Sequence, residues 1–217
     1  MIAKHTMEHF VDIHTHNPSG KCIEIVNCRL GVDTIPSSGM YSAGIHPWDA
    51  ASNSATADDV LCVLEDPNCV AWGEIGLDKR CKVDWKTQFD TFNIGLRIAR
   101  HPTIIHCVRA QQDVMPMLRD LADPELPVIF HGYIGSTEQA EQIWKAGYYT
   151  SFGFGALRSP KTLRTIEACP TDRLFLETDD SKISITALYK EVAHLRNVSI
   201  ESLKNDIYNN YKRVFNK

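Results

Sequence analysis

Six short apolar runs in this sequence stop on a histidine or a carboxylate. The first ends Asp12-Ile-His14-Thr-His16, and others end at Gly44-Ile-His46-Pro, Gly73-Glu74-Ile-Gly76-Leu-Asp78, Ile105-His106, Phe130-His131-Gly132 and Leu176-Glu177-Thr-Asp179. In an extended segment, side chains two apart share a face, so His14 and His16 point the same way. Five of the nine histidines stand at such ends; His5, His9, His101 and His194 do not and are given no role. A lone histidine at a strand end is more often a hydrogen-bonded core residue than a ligand. Five at equivalent places, with two carboxylates, fit a metal-dependent hydrolase site at the mouth of a parallel barrel. Mixed nitrogen and oxygen donors suit Zn, Mn or Mg without choosing among them. Glu74, on a middle strand, could bridge two ions.

Positioning such residues needs a regular scaffold. Strand patterns occur at Phe10–His16, Met40–Ile45, Cys69–Ile75, Thr103–Val108, Val128–Gly132, Tyr148–Phe154 and Arg173–Thr178. Helical patterns fall at Ala57–Glu65, Trp85–Ala99, Gln111–Leu121, Glu138–Lys145, Lys161–Ala168, Ile185–Leu195 and Ile200–Phe215. Ser136-Thr-Glu-Gln139 reads as a capping box, Ser159-Pro160 as a cap before a helix-opening proline, and Gly147 and Pro170 as helix stops. The alternation predicts an α/β chain, a distorted TIM-like barrel of about seven parallel strands in a single domain, residues 1–217. Cys22–Cys28 also reads as a strand, yet only Asn17–Lys21 precede it, and a parallel crossover usually takes about a dozen residues. The segment at 22–28 is therefore expected to run antiparallel and to replace the first crossover helices.

Composition is that of an ordinary globular protein: 217 residues, 43% hydrophobic and 23% charged, net charge −4. Barrels of this class typically need ~250 residues, so the expected economy lies between Asn17 and Gly39. It should leave the site more open beside His14, His16 and His46. No apolar run reaches the ~20 residues of a membrane span, and Met1–Thr6 opens without the apolar core of a signal peptide. Seven scattered cysteines without a C-x-x-C pair predict reduced thiols in a cytoplasmic protein. The acidic balance argues against wrapping long nucleic acid on a basic face. Even so, Lys79, Arg80, Lys82, Arg109, Arg158, Lys161 and Lys182 fall in loops after strands and could make the mouth locally positive. Trp72 alternates with Glu74 and is expected inside the barrel as filling. Asp12 and Glu177 sit one layer below His14 and Asp179 and are expected to orient ligands. Cys107 should point into the helix layer, with no nucleophilic role. Phe152-Gly-Phe-Gly-Ala reads as core packing beside the pocket.

The string D-x-H-x-H, G-I-H-P, G-E-I-G-L-D, I-H, H-G-Y-I-G-S, E-T-D and the terminal N-x-x-R-x-F (Asn210–Phe215) resembles the TatD family of metal-dependent nucleases, TIM-barrel members of the amidohydrolase superfamily. The likeness runs in order along nearly the whole chain. It implies two divalent ions, one held by His14, His16, Glu74 and Asp179 and one by Glu74, His106 and His131. By the same likeness Asp179 orients or deprotonates the attacking water, Glu74 bridges, and His46 sits at the rim, contacting the substrate phosphate or completing the shell; Arg109 and Lys79, from their places in the loops, are also expected at that phosphate. Three places depart from the family pattern: Cys107-Val-Arg109-Ala110 has its arginine one position late and lacks an acid, His131-Gly-Tyr-Ile-Gly135 stands for H-C-F-S-G, and Lys79-Arg80 replace an aromatic. The activity implied is 3′-directed hydrolysis of single-stranded or damaged DNA, with no membrane and no obligate protein partner. Two other readings remain: an amide or ester hydrolase, such as an amidohydrolase or a D-aminoacyl-tRNA deacylase, and a non-enzymatic binding protein. A basic, open mouth would favour the nuclease, an apolar, enclosed one the amide or ester hydrolase.

Overall fold

A computed structural model of the chain describes residues 10–215. The reading of Met1–Thr6, and His5 and His9, lie outside these residues. Eight strands follow one another around a single sheet in chain order: β1 (Val11–Thr15), β2 (Ile23–Arg29), β3 (Met40–Gly44), β4 (Cys69–Asp78), β5 (Thr103–Val108), β6 (Val128–Phe130), β7 (Tyr149–Phe152) and β8 (Leu174–Leu176). Every neighbouring pair is parallel. Just past β8, the backbone of Asp179 closes the ring on β1, its N–H donating to His14 O (2.9 Å) and its carbonyl accepting from His16 N (3.1 Å). The helices are α1 (Ala57–Glu65), α2 (Trp85–Ile98), α3 (Gln111–Leu121), α4 (Thr137–Lys145), α5 (Pro160–Ala168), α6 (Ile185–Leu195) and α7 (Ile200–Phe215). The architecture is a TIM-type barrel with eight strands rather than about seven.

The expected antiparallel segment is instead a parallel strand. Val11 faces Ile23 across β1 and β2, and Arg29 faces Gly44 across β2 and β3. The dozen-residue rule presumes a helical crossover. An extended chain covers up to ~3.3–3.6 Å per residue, so residues 16–22 can descend the length of a five-residue strand without a helix. Residues 30–39 repeat this between β2 and β3. Both helices are thus missing where the sequence placed the economy, and His16 stays partly exposed there. His14 and His46 are buried.

Local signals act as read, with one adjustment. Ser136 and Gln139 form a reciprocal capping box on α4, as Thr56 and Asp59 do on α1. Gly147 follows α4 at φ +85°, a conformation costly for residues with a Cβ. Pro160 opens α5, but the Ser159 hydroxyl accepts from Thr162 Oγ1 rather than from the backbone. The terminal N-x-x-R-x-F is structural: Asn210 donates to the carbonyls of Thr171 and Leu174 at the foot of β8, and Phe215 packs on Phe175. Helix α7 also reaches the helix-poor quarter, where Tyr211 contacts Met40 Sδ and Lys204 lies over the Phe10 ring.

Two inward-facing assignments change. Trp72 does not fill the barrel; its indole N–H donates to Gly95 O on α2 (3.0 Å). The register against β5 shifts between Trp72 and Ile75, so simple alternation through Gly73–Glu74 fails and the two side chains part company. Asp12 orients no ligand directly. Its carboxylate accepts from Thr178 N (2.9 Å) and Thr178 Oγ1 (2.6 Å), stitching β1 to the end of β8. Burial pushes Asp12 up to about 7, against those two hydrogen bonds. Asp12→Ala leaves the buried Thr178 N–H without its acceptor, and we expect a loss of roughly 1–3 kcal/mol, read from urea unfolding. Wild-type stability in that variant would mean the seam holds without this carboxylate.

Candidate metal centre

The strand ends converge on Glu74, which is almost wholly buried. Its two carboxylate oxygens face different ways. Oε1 lies 3.0 Å from His106 Nδ1, 3.7 Å from His46 Nε2 and in close contact with His131 Nε2. Oε2 lies 3.5 Å from His14 Nε2 and accepts a hydrogen bond from Asn27 Nδ2 at 2.8 Å. Asp179 Oδ1 stands 3.6 Å from both His14 Nε2 and His16 Nε2. The six residues named as ligands from the sequence therefore share one cluster. His46 joins it, buried, 3.3 Å from His106 and at the wall of the cavity over the cluster.

The donor set fits a divalent cation. Among the described residues, four groupings of three His, Asp or Glu residues each bring their ligand atoms within 4.8 Å of one another: His14/His16/Asp179, His14/Glu74/His131, His46/Glu74/His106 and His131/Glu177/Asp179. Both ring nitrogens of the fully buried His14 lack a hydrogen-bond partner. A buried imidazole nitrogen without a partner is costly, and a cation held by His14 would satisfy one of the two.

Electrostatics in the cluster point the same way. Burial works against charge on His131, yet Glu74 and Glu177 hold its pKa well above the usual imidazole value. Burial would raise Glu74, but His131, His14 and the hydrogen bonds from His106 and His131 hold it well below the carboxylate range. The anion that gathers these imidazoles is thus ionised. Burial pulls His46 down to about 3, so it is the neutral, ligand-ready form at neutral pH.

A second layer fixes the rings. His131 Nδ1 faces Glu177 Oε1 (3.3 Å), so Glu177 orients a candidate ligand as expected. His106 turns Nε2 to Asp78 Oδ2 (3.3 Å), leaving Nδ1 for Glu74. Trp48 Nε1 donates to the same Asp78 oxygen at 2.7 Å. Such carboxylate–histidine pairs set the tautomer and aim of metal ligands. Asn27, Asp78, Arg29 and Trp48 were not picked out by sequence reasoning. Only G-L-D hinted at Asp78. An antiparallel β2 hides Asn27, whereas in the parallel register it faces Ser42, whose hydroxyl donates to its Oδ1 at 3.1 Å.

The cavity over the cluster holds about 330 Å³ and is lined by His16, Arg29, His46, Trp48, Glu74 and Asp179 among others. Arg109 and Lys79 do not enter it. They line an adjoining cavity of about 380 Å³, with Lys161 and three glutamines, that meets the first at His131. Arg109 is held there at φ +55°, and Lys79 is paired to Asp113 at 2.5 Å. Cys107 lines this cavity rather than the helix layer, and burial pushes its thiol up to about 12, far from a nucleophilic thiolate. Arg80 and Lys82 line a third cavity and Arg158 a fourth, while Lys182 lines none of them. Phe152 is buried in the core, and Phe154 lines the fourth cavity.

Comparison with known proteins agrees with this geometry. Residues 27–216 match the family model described as TatD related DNase. The chain is 28% identical over 201 residues to a Bacillus subtilis protein named uncharacterized metal-dependent hydrolase YabD, covering 81% of this chain and 77% of that one. It is 28% identical over 146 residues to the human 3′-5′ RNA nuclease TATDN2, covering 63% of this chain and 19% of that longer protein. Among solved structures, the Escherichia coli TatD homolog YJJV superposes with TM-score 0.77 at 21% identity over 96% of this chain and 98% of that one. A hydrolase TatD family protein from Entamoeba histolytica gives the same TM-score at 16% identity, over 95% and 98%. At such identities the two structures speak for the fold, and the family match speaks for descent. The chain belongs to the TatD-related DNase family and is a metal-dependent hydrolase.

Proposed function

We propose that this chain is a one-domain phosphodiesterase that removes nucleotides from the 3′ end of single-stranded or damaged DNA, using two divalent ions. The observation that carries the reading is the placement of one ionised, buried carboxylate, Glu74, between two sets of imidazoles, at the floor of a mouth whose adjoining cavities carry Lys79, Arg80, Lys82, Arg109, Arg158 and Lys161. That basic surround suits a phosphodiester chain better than an uncharged amide. In this proposal His14, His16, Glu74 and Asp179 hold one ion, and Glu74, His106 and His131 the other. Bound there, divalent ions lower the pKa of water and neutralise charge on the phosphate. The chain's own residues do the rest. Asp179, partly open to the cavity, accepts a proton from the attacking water. Glu177 and Asp78 keep His131 and His106 aimed. Neutral His46 completes the shell beside the phosphate, and Arg109 and Lys79 hold the departing side of the substrate.

With Mg²⁺ or Mn²⁺ present, a 5′-labelled single-stranded oligonucleotide should shorten stepwise from its 3′ end, and a chelator should stop the reaction. A protein that binds two ions and leaves DNA intact would sink the proposal. RNA cleaved in place of DNA would reassign the substrate, in keeping with the name of the human relative.

A further inference from the structure

Trp48 is anchored yet largely bare. Its indole N–H is satisfied by Asp78 Oδ2 (2.7 Å), and its ring meets His46 edge-on, with centroids 4.9 Å apart and planes at 85°. Even so, 56% of the residue is exposed. An aromatic ring held at its polar edge cannot swing away to bury its faces, so it offers a rigid apolar surface to whatever enters the site. The ring stands between two cavities. One is the cavity over the cluster, shared with His46, Glu74 and His106. The other, of about 620 Å³, is lined by Trp48, Asp78, Arg80, Cys81, Lys82, Val83, His106 and Val108. That volume lies in the ~300–1,000 Å³ range of sites that enclose a whole small ligand. The anion in this second cavity, Asp78, is already engaged by His106, Trp48 and the backbone N–H of Arg80 (2.7 Å). Its free electrostatic character is therefore set by Arg80 and Lys82.

A flat apolar ring next to a phosphodiester-cleaving centre, with two cations beyond it, matches the order base, then phosphate, along a nucleic acid strand. We propose that Trp48 is a base-stacking platform: its indole stacks on the nucleobase of the nucleotide bordering the scissile phosphodiester, and Arg80 and Lys82 receive the next phosphate in the second cavity. The proposal rests on the nuclease reading and sharpens it. A base can lie on Trp48 only when it is unpaired and out of its own stack, so the platform selects single-stranded or frayed ends. Stacking is tolerant of base identity, because every base has a π face, so little sequence preference follows.

The test uses the metal-loaded protein and a fluorescent octathymidylate made cleavage-resistant by phosphorothioate linkages. A second octamer has abasic tetrahydrofuran residues in place of its nucleotides. Trp48→Ala should weaken binding of the base-bearing strand by roughly 5- to 100-fold and weaken binding of the abasic strand far less. Trp48→Phe keeps a ring but lacks the N–H to Asp78, and it should bind the base-bearing strand within about threefold of wild type if stacking is what matters. Three results would overturn the platform. The first is a Trp48→Ala loss equal on both strands. The second is a Trp48→Phe loss as large as that of Trp48→Ala, which would make Trp48 a positioning residue for Asp78 and His106. The third is no difference between the two strands in wild type. Cleavage of an unmodified octathymidylate is read separately. Base-dependent binding without cleavage would defeat the nuclease reading and leave the platform standing.

Discussion

Glu74→Ala should abolish hydrolysis and divalent-metal content together, with activity down at least ~10³-fold. The reasoning is geometric. Among the described residues, Glu74 is the one anion within reach of His14, His46, His106 and His131 at once, through two oxygens that face opposite sides. Asp179 lies nearest to His14 and His16, with His131 also in its range, and Glu177 and Asp78 lie behind the rings. With Glu74 gone, four imidazoles converge on a space with no central charge to balance a cation. Metal analysis of the purified variant after supplementation, alongside the nuclease assay, checks this. Retained activity, or one ion lost and one kept at full occupancy, would overturn the bridging role. Asn27→Ala makes a useful companion, since it removes the hydrogen bond that fixes Oε2, together with the one Asn27 accepts from Ser42, and no candidate ligand. It should weaken activity without emptying the site.

Gly76→Ala should cripple the protein by another route. Gly76 sits at φ +150°, and a Cβ there would lie 1.9 Å from His106 O and 2.9 Å from His106 C. Those are backbone atoms of the neighbouring strand, so no side chain can rotate to make room. β4 and β5 must part at the point where they carry Glu74 and His106. Steric overlap with backbone of this kind belongs to the exceptional class of substitutions costing above ~4 kcal/mol. The expected result is a large fall in the urea midpoint, or failure to accumulate folded protein. Gly147→Ala is the control: it also has a positive φ, +85°, but a Cβ there meets nothing within 4 Å, so the loss should be no more than ~1–2 kcal/mol. Equal effects from the two substitutions would show that backbone conformation, not the approach of β5, sets the cost at Gly76.

The contrast between these glycines shows what a sequence can carry. G-E-I-G-L-D marks Gly76 as unusual, and the family likeness makes it a motif. Only the parallel pairing of Gly76 with His106 shows why a side chain cannot fit. Trp72 makes the complementary point. Period-two alternation placed it beside Glu74, and a local register shift turned it to the helix layer.

The order of elements, the seven helices and the cluster of His14, His16, His46, Glu74, His106, His131 and Asp179 were legible from the chain alone. The reason is that they rest on local rules: strand and helix periods, caps, and the habit of parallel barrels to carry function at strand C-termini. What the tertiary structure decided depends on neighbours distant in sequence. The direction of β2 is set by pairing to strands on both sides, and an extended connection proved long enough to allow it. That direction brought Asn27 to Glu74 across 47 positions of sequence. It took the closed ring to put Asp12 under Thr178, Asp78 behind His106, and the face of Trp48 at the mouth of the site. Local periodicity says which side of an element a residue faces, while only the closed barrel says what stands opposite.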